Sequence, residues 1–114
     1  MRYVYADNAA TTPVSKKVVE AILPYMTEHY GNPSSLYSIG QTAFSAVDKA
    51  REQVAAALGA DKKEIFFTSG GTESDNLAII GCAMANRRRG NHLITTMIEH
   101  PAVLQTMQYL ESLG

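Results

Sequence analysis

A short β-prone run joined to a helix by two glycines limits what this chain can fold into more than any other feature. Residues 64–68 are apolar and rich in aromatic side chains, which predicts a buried strand. Residues 69–74 (Ser-Gly-Gly-Thr-Glu-Ser) then open a run over 77–85 that is apolar nearly all round, as expected for a helix packed on a sheet. A second strand is predicted over 92–98. This alternation predicts an α/β layer with parallel strands.

Three further helices are predicted from apolar residues at helical spacing. The first spans 15–30, with Ser15 as its N-cap and Pro24 kinking or ending it. The second spans 36–58 and stops at Gly59, although Gly40 within it costs about 1 kcal/mol relative to alanine. The last begins at Pro101. Two strands are fewer than a stable sheet needs, so we expect an incomplete sheet in a truncated chain.

Composition excludes several classes of function. The 114 residues fit one domain, and ten Lys and Arg against eleven Asp and Glu leave no excess charge for nucleic acid or an anionic membrane. The basic run 87–89 precedes a glycine and is typical of a helix C-terminus. Cys82 alone cannot form an intramolecular disulfide, and within its apolar run it is expected to be a small buried hydrophobe. No metal-ligand spacing and no membrane-length apolar run occur, so we expect a soluble, cytoplasmic protein.

The glycine junction has two interpretations from its residues alone. Glycines allow close approach to backbone N–H groups, and the first N–H groups of a helix have no internal partner, so Gly70, Gly71 and the Thr72 hydroxyl could bind an anion. Alternatively, Ser69 or Thr72 caps the helix with Glu73 in its first turn, and no ligand is needed. The spacing matches neither a nucleotide P-loop nor a dinucleotide fingerprint.

His100 follows the second predicted strand, at the sheet edge where ligand crevices of α/β proteins lie. It could titrate, stack on a flat ring or donate a hydrogen bond. A histidine before a helix-starting proline can equally be a capping residue. The polar stretch 7–13 by itself predicts only a loop.

Four segments in this order resemble the amino-terminal part of cysteine desulfurases, which are pyridoxal-phosphate enzymes of the class V aminotransferase family. The resemblance covers essentially the whole chain and is closest to the nitrogen-fixation and iron–sulfur housekeeping branch. The segments are Asp-Asn-Ala-Ala-Thr-Thr-Pro at 7–13, Gly-Asn-Pro-Ser-Ser at 31–35, Thr-Ser-Gly-Gly-Thr-Glu-Ser-Asp-Asn at 68–76 and Glu-His-Pro-Ala-Val at 99–103. Tyr37 departs from this pattern, which has a histidine after the second segment.

The resemblance implies roles for particular residues. Gly71 and Thr72 match the positions that hold the phosphate of pyridoxal 5'-phosphate. His100 matches the catalytic histidine that stacks on the pyridine ring and assists proton transfer. Asn76 matches a motif position expected to make local hydrogen bonds near the site. Four residues match the loop that borders the substrate pocket: Asn8, Ala9, Ala10 and Thr11.

The resemblance also implies the fold and its divisions. The chain is expected to be α/β, the amino-terminal part of the large domain of a PLP-dependent transferase of the aspartate aminotransferase type (fold type I), with an incomplete sheet. Residues 1–114 then belong to a single domain, with 1–35 as an amino-terminal arm and helix and 36–114 as the start of the large cofactor-binding domain.

The implied activity is conversion of L-cysteine to L-alanine, with the sulfur left as an enzyme persulfide for an iron–sulfur assembly scaffold or another acceptor. A homodimer is implied for the full-length form, with no metal site. The lysine that binds the cofactor and the nucleophilic cysteine match no residue here, so the chain alone is expected to be inactive. A non-catalytic binding module, a selenocysteine lyase and an aminotransferase stay open as alternatives.

Overall fold

The computed structural model describes residues 2–114, which fold into four α-helices and one short 3-10 helix. By compactness the chain divides into two units, Met1–Ile65 and Phe66–Gly114, and each is described by itself. The sequence-based division at residue 35 stays a prediction. The helices are α1 (Lys16–Thr27), α2 (Ser38–Leu58), the 3-10 helix (Lys62–Glu64), α3 (Gly71–Asn86) and α4 (Pro101–Ser112).

Helix α1 begins and ends for local reasons that the sequence predicts. The Ser15 hydroxyl accepts a hydrogen bond from the Val18 N–H at 3.4 Å, which confirms Ser15 as the N-cap. Pro24 lies inside the helix, and its carbonyl accepts hydrogen bonds from the N–H groups of Glu28 and His29, both at 2.8 Å. The helix therefore ends within one turn of the proline, as expected.

Helix α2 is fixed at both ends by glycines. Gly59 follows the last turn with φ of 67°, the left-handed conformation of a helix stop, as predicted. Gly40 is buried against the turn at 32–35, and a Cβ added there would lie 2.7 Å from the carbonyl oxygens of both Asn32 and Ser35. Gly40 thus permits close packing of the turn on α2, which offsets its low helix propensity.

The 3-10 helix packs on α2 within the first unit. Its capping box pairs the Asp61 carboxylate with the Lys63 N–H at 2.9 Å, and the Glu64 carboxylate with the Asp61 N–H at 2.8 Å. The ammonium of Lys62 reaches α2 and donates to Asp48 at 2.8 Å and Glu52 at 2.9 Å. The Arg51 guanidinium donates to the Ile65 carbonyl.

Neither predicted strand is present in residues 2–114, so the incomplete sheet expected from the sequence is not observed. The capping box holds Glu64 in the 3-10 helix, and extended backbone starts only at Ile65. Residues 91–96 are irregular and end at a turn over 97–98. A strand requires a ladder of backbone hydrogen bonds to a neighbouring segment, and no such ladder is assigned at either segment within residues 2–114. Phe66 and Ile94 are accordingly 71% and 86% exposed.

The second unit is built on the packing of α3 against α4. Its buried residues all lie on α4, at positions 102, 106 and 110, which share one face at a spacing of four. Helix α3 has no buried residue, although its composition predicts a helix covered on nearly all sides. Leu77, for example, is 55% exposed, although α3 packs against α4 within this unit.

Candidate functional site

The loop between Thr68 and Ser74 is closed by its own side chains. The hydroxyls of Thr68 and Ser74 lie 2.6 Å apart, and Thr68 donates to the Gly70 carbonyl at 3.2 Å. The Glu73 carboxylate turns back and accepts two hydrogen bonds from Ser69, from the N–H at 2.7 Å and from the hydroxyl at 2.6 Å. The loop is therefore shaped without any contact to the first N–H groups of α3.

The start of α3 carries a set of open donors. Gly70 is the N-cap and supplies no side chain, and the first helical hydrogen bond runs from the Ser74 N–H to the Gly70 carbonyl at 3.1 Å. Within residues 2–114, the N–H groups of Gly71, Thr72 and Glu73 and the Thr72 hydroxyl have no hydrogen-bond partner. Converging free N–H groups at the positive end of the helix dipole form an anion-binding site.

Capping by Ser69 or Thr72, the alternative from sequence, is wrong. The Ser69 hydroxyl is engaged by Glu73, and Thr72 lies inside the first turn rather than before it. Glu73 is in that turn as expected, but its carboxylate accepts from Ser69 and not from the helix. Hydrogen bonds from the Ser69 hydroxyl and N–H lower the pKa of the Glu73 carboxyl, against a small opposing effect of burial.

The space around the two glycines is compatible with a bound phosphate. A Cβ added to Gly70 or Gly71 would meet no other atom within 4 Å, so a tetrahedral anion can approach the adjacent N–H groups. The Thr72 hydroxyl adds a side-chain donor at the same turn. The donor set is therefore compatible with the phosphate group that the sequence resemblance implies, and the roles of Gly71 and Thr72 in binding it stay predictions.

Behind this turn, Asn76 joins α3 to α4. Its side-chain amide donates to the Thr72 carbonyl at 2.8 Å, and its side-chain oxygen accepts from the Thr106 hydroxyl at 2.8 Å. The prediction that Asn76 makes local hydrogen bonds is confirmed. Thr106 was not predicted from sequence. The sequence does contain a signal for it: Thr106 is a polar residue on the apolar face of a helix, four positions after Ala102 and four before Leu110.

His100 is the N-cap of α4. Its Nδ1 accepts a hydrogen bond from the Ala102 N–H at 3.1 Å, and Pro101 occupies the first helical position. The capping interpretation is confirmed. An accepting Nδ1 places the proton of the neutral ring on Nε2, so the exposed ring keeps its face and its Nε2–H available. The predicted roles in stacking and proton transfer stay predictions.

The amino-terminal loop belongs to the first unit, whereas the turn at Gly71 and His100 belong to the second. The loop turns on the Asp7 carbonyl, which accepts from Ala10 at 3.2 Å and Thr11 at 3.5 Å. The Thr11 hydroxyl lies 3.3 Å from the Tyr5 hydroxyl. All four predicted pocket residues are exposed, and their role stays a prediction: Asn8, Ala9, Ala10 and Thr11.

Cys82 is exposed on α3, so the expectation of a small buried hydrophobe is wrong. In the part of the chain that the structure describes, no group of three or more metal-ligating side chains is found. None of the helices described in residues 2–114 combines the length and apolar character needed to cross a membrane.

Comparison with known proteins identifies the family. The profile of the family described as Aminotransferase class-V matches residues 4–114. The chain belongs to the aminotransferase class-V family. The resemblance drawn from its four motifs is thereby confirmed at the family level.

This class-V chain is similar to curated proteins named as desulfurases. It is 63% identical to a cysteine desulfurase IscS of Methanosarcina thermophila over 111 residues, covering 97% of this chain and 28% of that protein. It is 51% identical to a putative cysteine desulfurase IscS 1 of Bacillus subtilis over 114 residues, covering 100% of this chain and 30% of that protein. The chain thus spans less than a third of the length of these relatives.

Two solved structures share the fold of this class-V chain. A NifS-like protein superposes with a TM-score of 0.86 at 46% identity, covering 95% of this chain and 30% of that one. DndA from Streptomyces lividans superposes with a TM-score of 0.77 at 42% identity, covering 97% of this chain and 31% of that one. This chain is therefore similar in backbone structure to less than a third of each of these two chains.

Proposed function

We propose that this chain forms the amino-terminal part of a pyridoxal-phosphate-dependent cysteine desulfurase. In this proposal it supplies the start of the large domain of a fold type I transferase. The β-prone residues 64–68 and the segment 91–96 then become strands when neighbouring segments pair with them, since a strand forms only by such pairing. The names and identities of the relatives support the assignment.

The observation that carries the proposal is the open start of α3. Helix N-termini usually have their free N–H groups capped by a side chain, and here the residues that could cap are turned away. Free donors at Gly71 and Thr72 beside open space suit the doubly charged phosphate of the cofactor. The family match makes pyridoxal 5'-phosphate the anion to propose.

Each residue of the site has a distinct task in the proposed reaction. Gly71 and Thr72 would hold the cofactor phosphate through their N–H groups and the Thr72 hydroxyl. His100 would face the cofactor ring and would use Nε2 in proton transfer, because its Nδ1 is held by the Ala102 N–H. The bound cofactor supplies an electron sink for breaking bonds at the substrate's α- and β-carbons.

The amino-terminal loop is proposed to border the substrate pocket. Asn8 and Thr11 would contribute polar groups there, and Ala9 and Ala10 would leave room for a small amino acid. Their exposure leaves these side chains accessible to a substrate.

The substrate is proposed to be L-cysteine, converted to L-alanine while its sulfur passes to an enzyme cysteine as a persulfide. Cys82 is not the proposed acceptor, because it lies in the middle of α3 and the resemblance assigns this role to a cysteine on a mobile loop. Delivery of the sulfur to an iron–sulfur scaffold or another acceptor, a homodimer and a cytoplasmic location complete the proposal.

The test is product analysis with the protein purified as its native gene encodes it. After addition of pyridoxal 5'-phosphate, L-cysteine and a thiol reductant, we expect L-alanine and sulfide in equal amounts. An aminotransferase would instead need a 2-oxo acid and release no sulfide, and a selenocysteine lyase would leave L-cysteine unconsumed. Either of those results, or a lack of both products, would overturn the proposal.

A further inference from the structure

Thr106 is the one buried polar residue of the described chain, with 3% of its surface exposed. Its hydroxyl lies 2.8 Å from the side-chain oxygen of Asn76 and 2.7 Å from the Ala102 carbonyl. A hydroxyl has one proton, so it donates to one of these acceptors at a time or is shared between them. A threonine that bonds only to the carbonyl four residues earlier is satisfied within its own helix. The buried Thr106 hydroxyl therefore does not need Asn76 as a hydrogen-bond partner, and the contact between them calls for another explanation.

This contact is part of a hydrogen-bonded connection between the two halves of the proposed site. On one side, Asn76 donates to the Thr72 carbonyl at 2.8 Å, on the face of the turn away from its free donors. On the other, Thr106 contacts Ala102, whose N–H donates to His100 at 3.1 Å. The residues Asn76 and Thr106 lie 30 positions apart in sequence, so the contact exists only when α3 and α4 are packed.

We propose that Asn76 and Thr106 are positioning residues that hold the phosphate-binding turn at Thr72 in a fixed arrangement relative to His100. This inference rests on the proposed function. Asn76 restrains from behind the peptide that joins the Thr72 carbonyl to the Glu73 N–H, so the backbone of the phosphate-binding turn is already ordered when phosphate binds. Thr106 anchors Asn76 to the helix that His100 caps. Donors that are already oriented bind an anion more tightly than donors that must be ordered on binding.

The two residues differ in what their replacement removes. Thr106→Val keeps the buried shape and deletes the hydroxyl, whereas Thr106→Ser keeps the hydroxyl and deletes a methyl group. Asn76→Ala removes the restraint on Thr72 and leaves Thr106 its bond to the Ala102 carbonyl, so folding is retained. Asn86→Ala is the matched control, because Asn86 makes the same type of bond to a carbonyl four residues earlier, at 2.9 Å from the Cys82 oxygen, at the opposite end of α3.

The experiment compares the Kd of pyridoxal 5'-phosphate with that of pyridoxal, which lacks the phosphate, for the protein purified as its native gene encodes it. We expect Thr106→Val and Asn76→Ala to weaken binding of the phosphorylated form about fivefold and to leave pyridoxal binding unchanged. Thr106→Ser and Asn86→Ala should stay within about twofold of the wild type. Circular dichroism of each variant verifies the fold, and Asn76→Ala decides the outcome if Thr106→Val does not fold.

The results separate this inference from the proposal on which it rests. If the wild type binds both compounds equally, the phosphate site itself is absent and both proposals fail. If the wild type prefers the phosphorylated form and Asn76→Ala preserves that preference, only the positioning role is overturned. Equal weakening of both compounds in Asn76→Ala would show a general structural role and would also overturn it.

Discussion

The carboxylate of Glu73 accepts two hydrogen bonds from Ser69, one from the N–H at 2.7 Å and one from the hydroxyl at 2.6 Å. This pair links the residue before the N-cap to the first turn of α3. The Ser69 hydroxyl and the Glu73 carboxylate could each have capped the helix, but they form a hydrogen bond with each other instead. The donors at Gly71 and Thr72 stay free as a result.

The pair makes stability depend on pH in a defined direction. The hydrogen bonds from Ser69 lower the pKa of the Glu73 carboxyl from its ordinary value of 4.5. Folding therefore favours the ionised form, so its stabilisation is present above pH 4.5 and is lost as pH falls through the lower folded-state pKa. We expect Glu73→Gln to lower the Tm at neutral pH, with the difference from wild type shrinking below pH 4.5.

The measurement is a series of thermal unfolding curves across that pH range. Glu111→Gln serves as the control, because the Glu111 side chain makes no hydrogen bond within residues 2–114. A Tm difference between Glu73→Gln and the wild type that does not change with pH would contradict this prediction.

Lys62 connects the 3-10 helix to α2 electrostatically. Hydrogen bonds to Asp48 and Glu52 raise the pKa of its ammonium above the ordinary value of 10.5. Its stabilisation is therefore fully present below pH 10.5 and lost only as pH rises through the higher folded-state pKa. We expect Lys62→Met to lower the Tm at neutral pH more than Lys63→Met, since Lys63 makes no ion pair in the described chain.

The salt dependence of the Tm tests the ion pairs of Lys62 with Asp48 and Glu52. The groups are partly exposed, so added sodium chloride screens their attraction and should narrow the difference between wild type and Lys62→Met. Equal Tm values for Lys62→Met and Lys63→Met at low salt would refute the contribution of the ion pairs.

Gly40 and Gly81 both lie inside helices but should respond to alanine in opposite ways. A Cβ at Gly40 would lie 2.7 Å from the carbonyl oxygens of Asn32 and Ser35, so Gly40→Ala should lower the free energy of unfolding by about 1–3 kcal/mol. A Cβ at Gly81 meets nothing within 4 Å, so Gly81→Ala should raise it by about 0.5–1 kcal/mol through helix propensity. Urea unfolding measures both, and a stabilised Gly40→Ala variant would be inconsistent with the packed turn.

Thr72 is predicted to contribute a hydroxyl to phosphate binding. Thr72→Val removes that donor and keeps the side-chain shape, so we expect the Kd for pyridoxal 5'-phosphate to rise about tenfold, or about 1.4 kcal/mol. Thr72→Ser keeps the hydroxyl and should bind within about threefold of the wild type. The second measurement is the competition of inorganic phosphate with pyridoxal 5'-phosphate for binding to each variant. An unchanged Kd for pyridoxal 5'-phosphate in Thr72→Val would show that the Thr72 hydroxyl does not contact the phosphate.

The helices could be predicted from the sequence because their signals are local. Apolar spacing predicted α1, α2 and α4, and the continuous apolar run after the glycines predicted α3. The N-cap at Ser15 and the left-handed stop at Gly59 are each determined within one turn. The strands could not be predicted in the same way. Apolar composition at 64–68 indicates a preference for extended backbone, but a strand exists only where another segment pairs with it.

The sequence identifies most residues of the candidate site but not the hydrogen bonds that they make. The glycine junction, Thr72 and His100 were all identified, because turn residues and helix starts leave clear patterns. The direction in which Glu73 turns could not be derived, since capping and pairing with Ser69 satisfy the same groups. Thr106 was missed because its partner lies 30 residues away and is met only through tertiary packing.

The central claim is that the open start of α3 holds the phosphate of pyridoxal 5'-phosphate. Its most direct test is a crystal structure of the protein, purified as its native gene encodes it, in complex with that compound. The account predicts phosphate oxygens within about 2.7–3.1 Å of the N–H groups of Gly71 and Thr72 and of the Thr72 hydroxyl. A phosphate bound elsewhere, with these donors facing solvent, would contradict it.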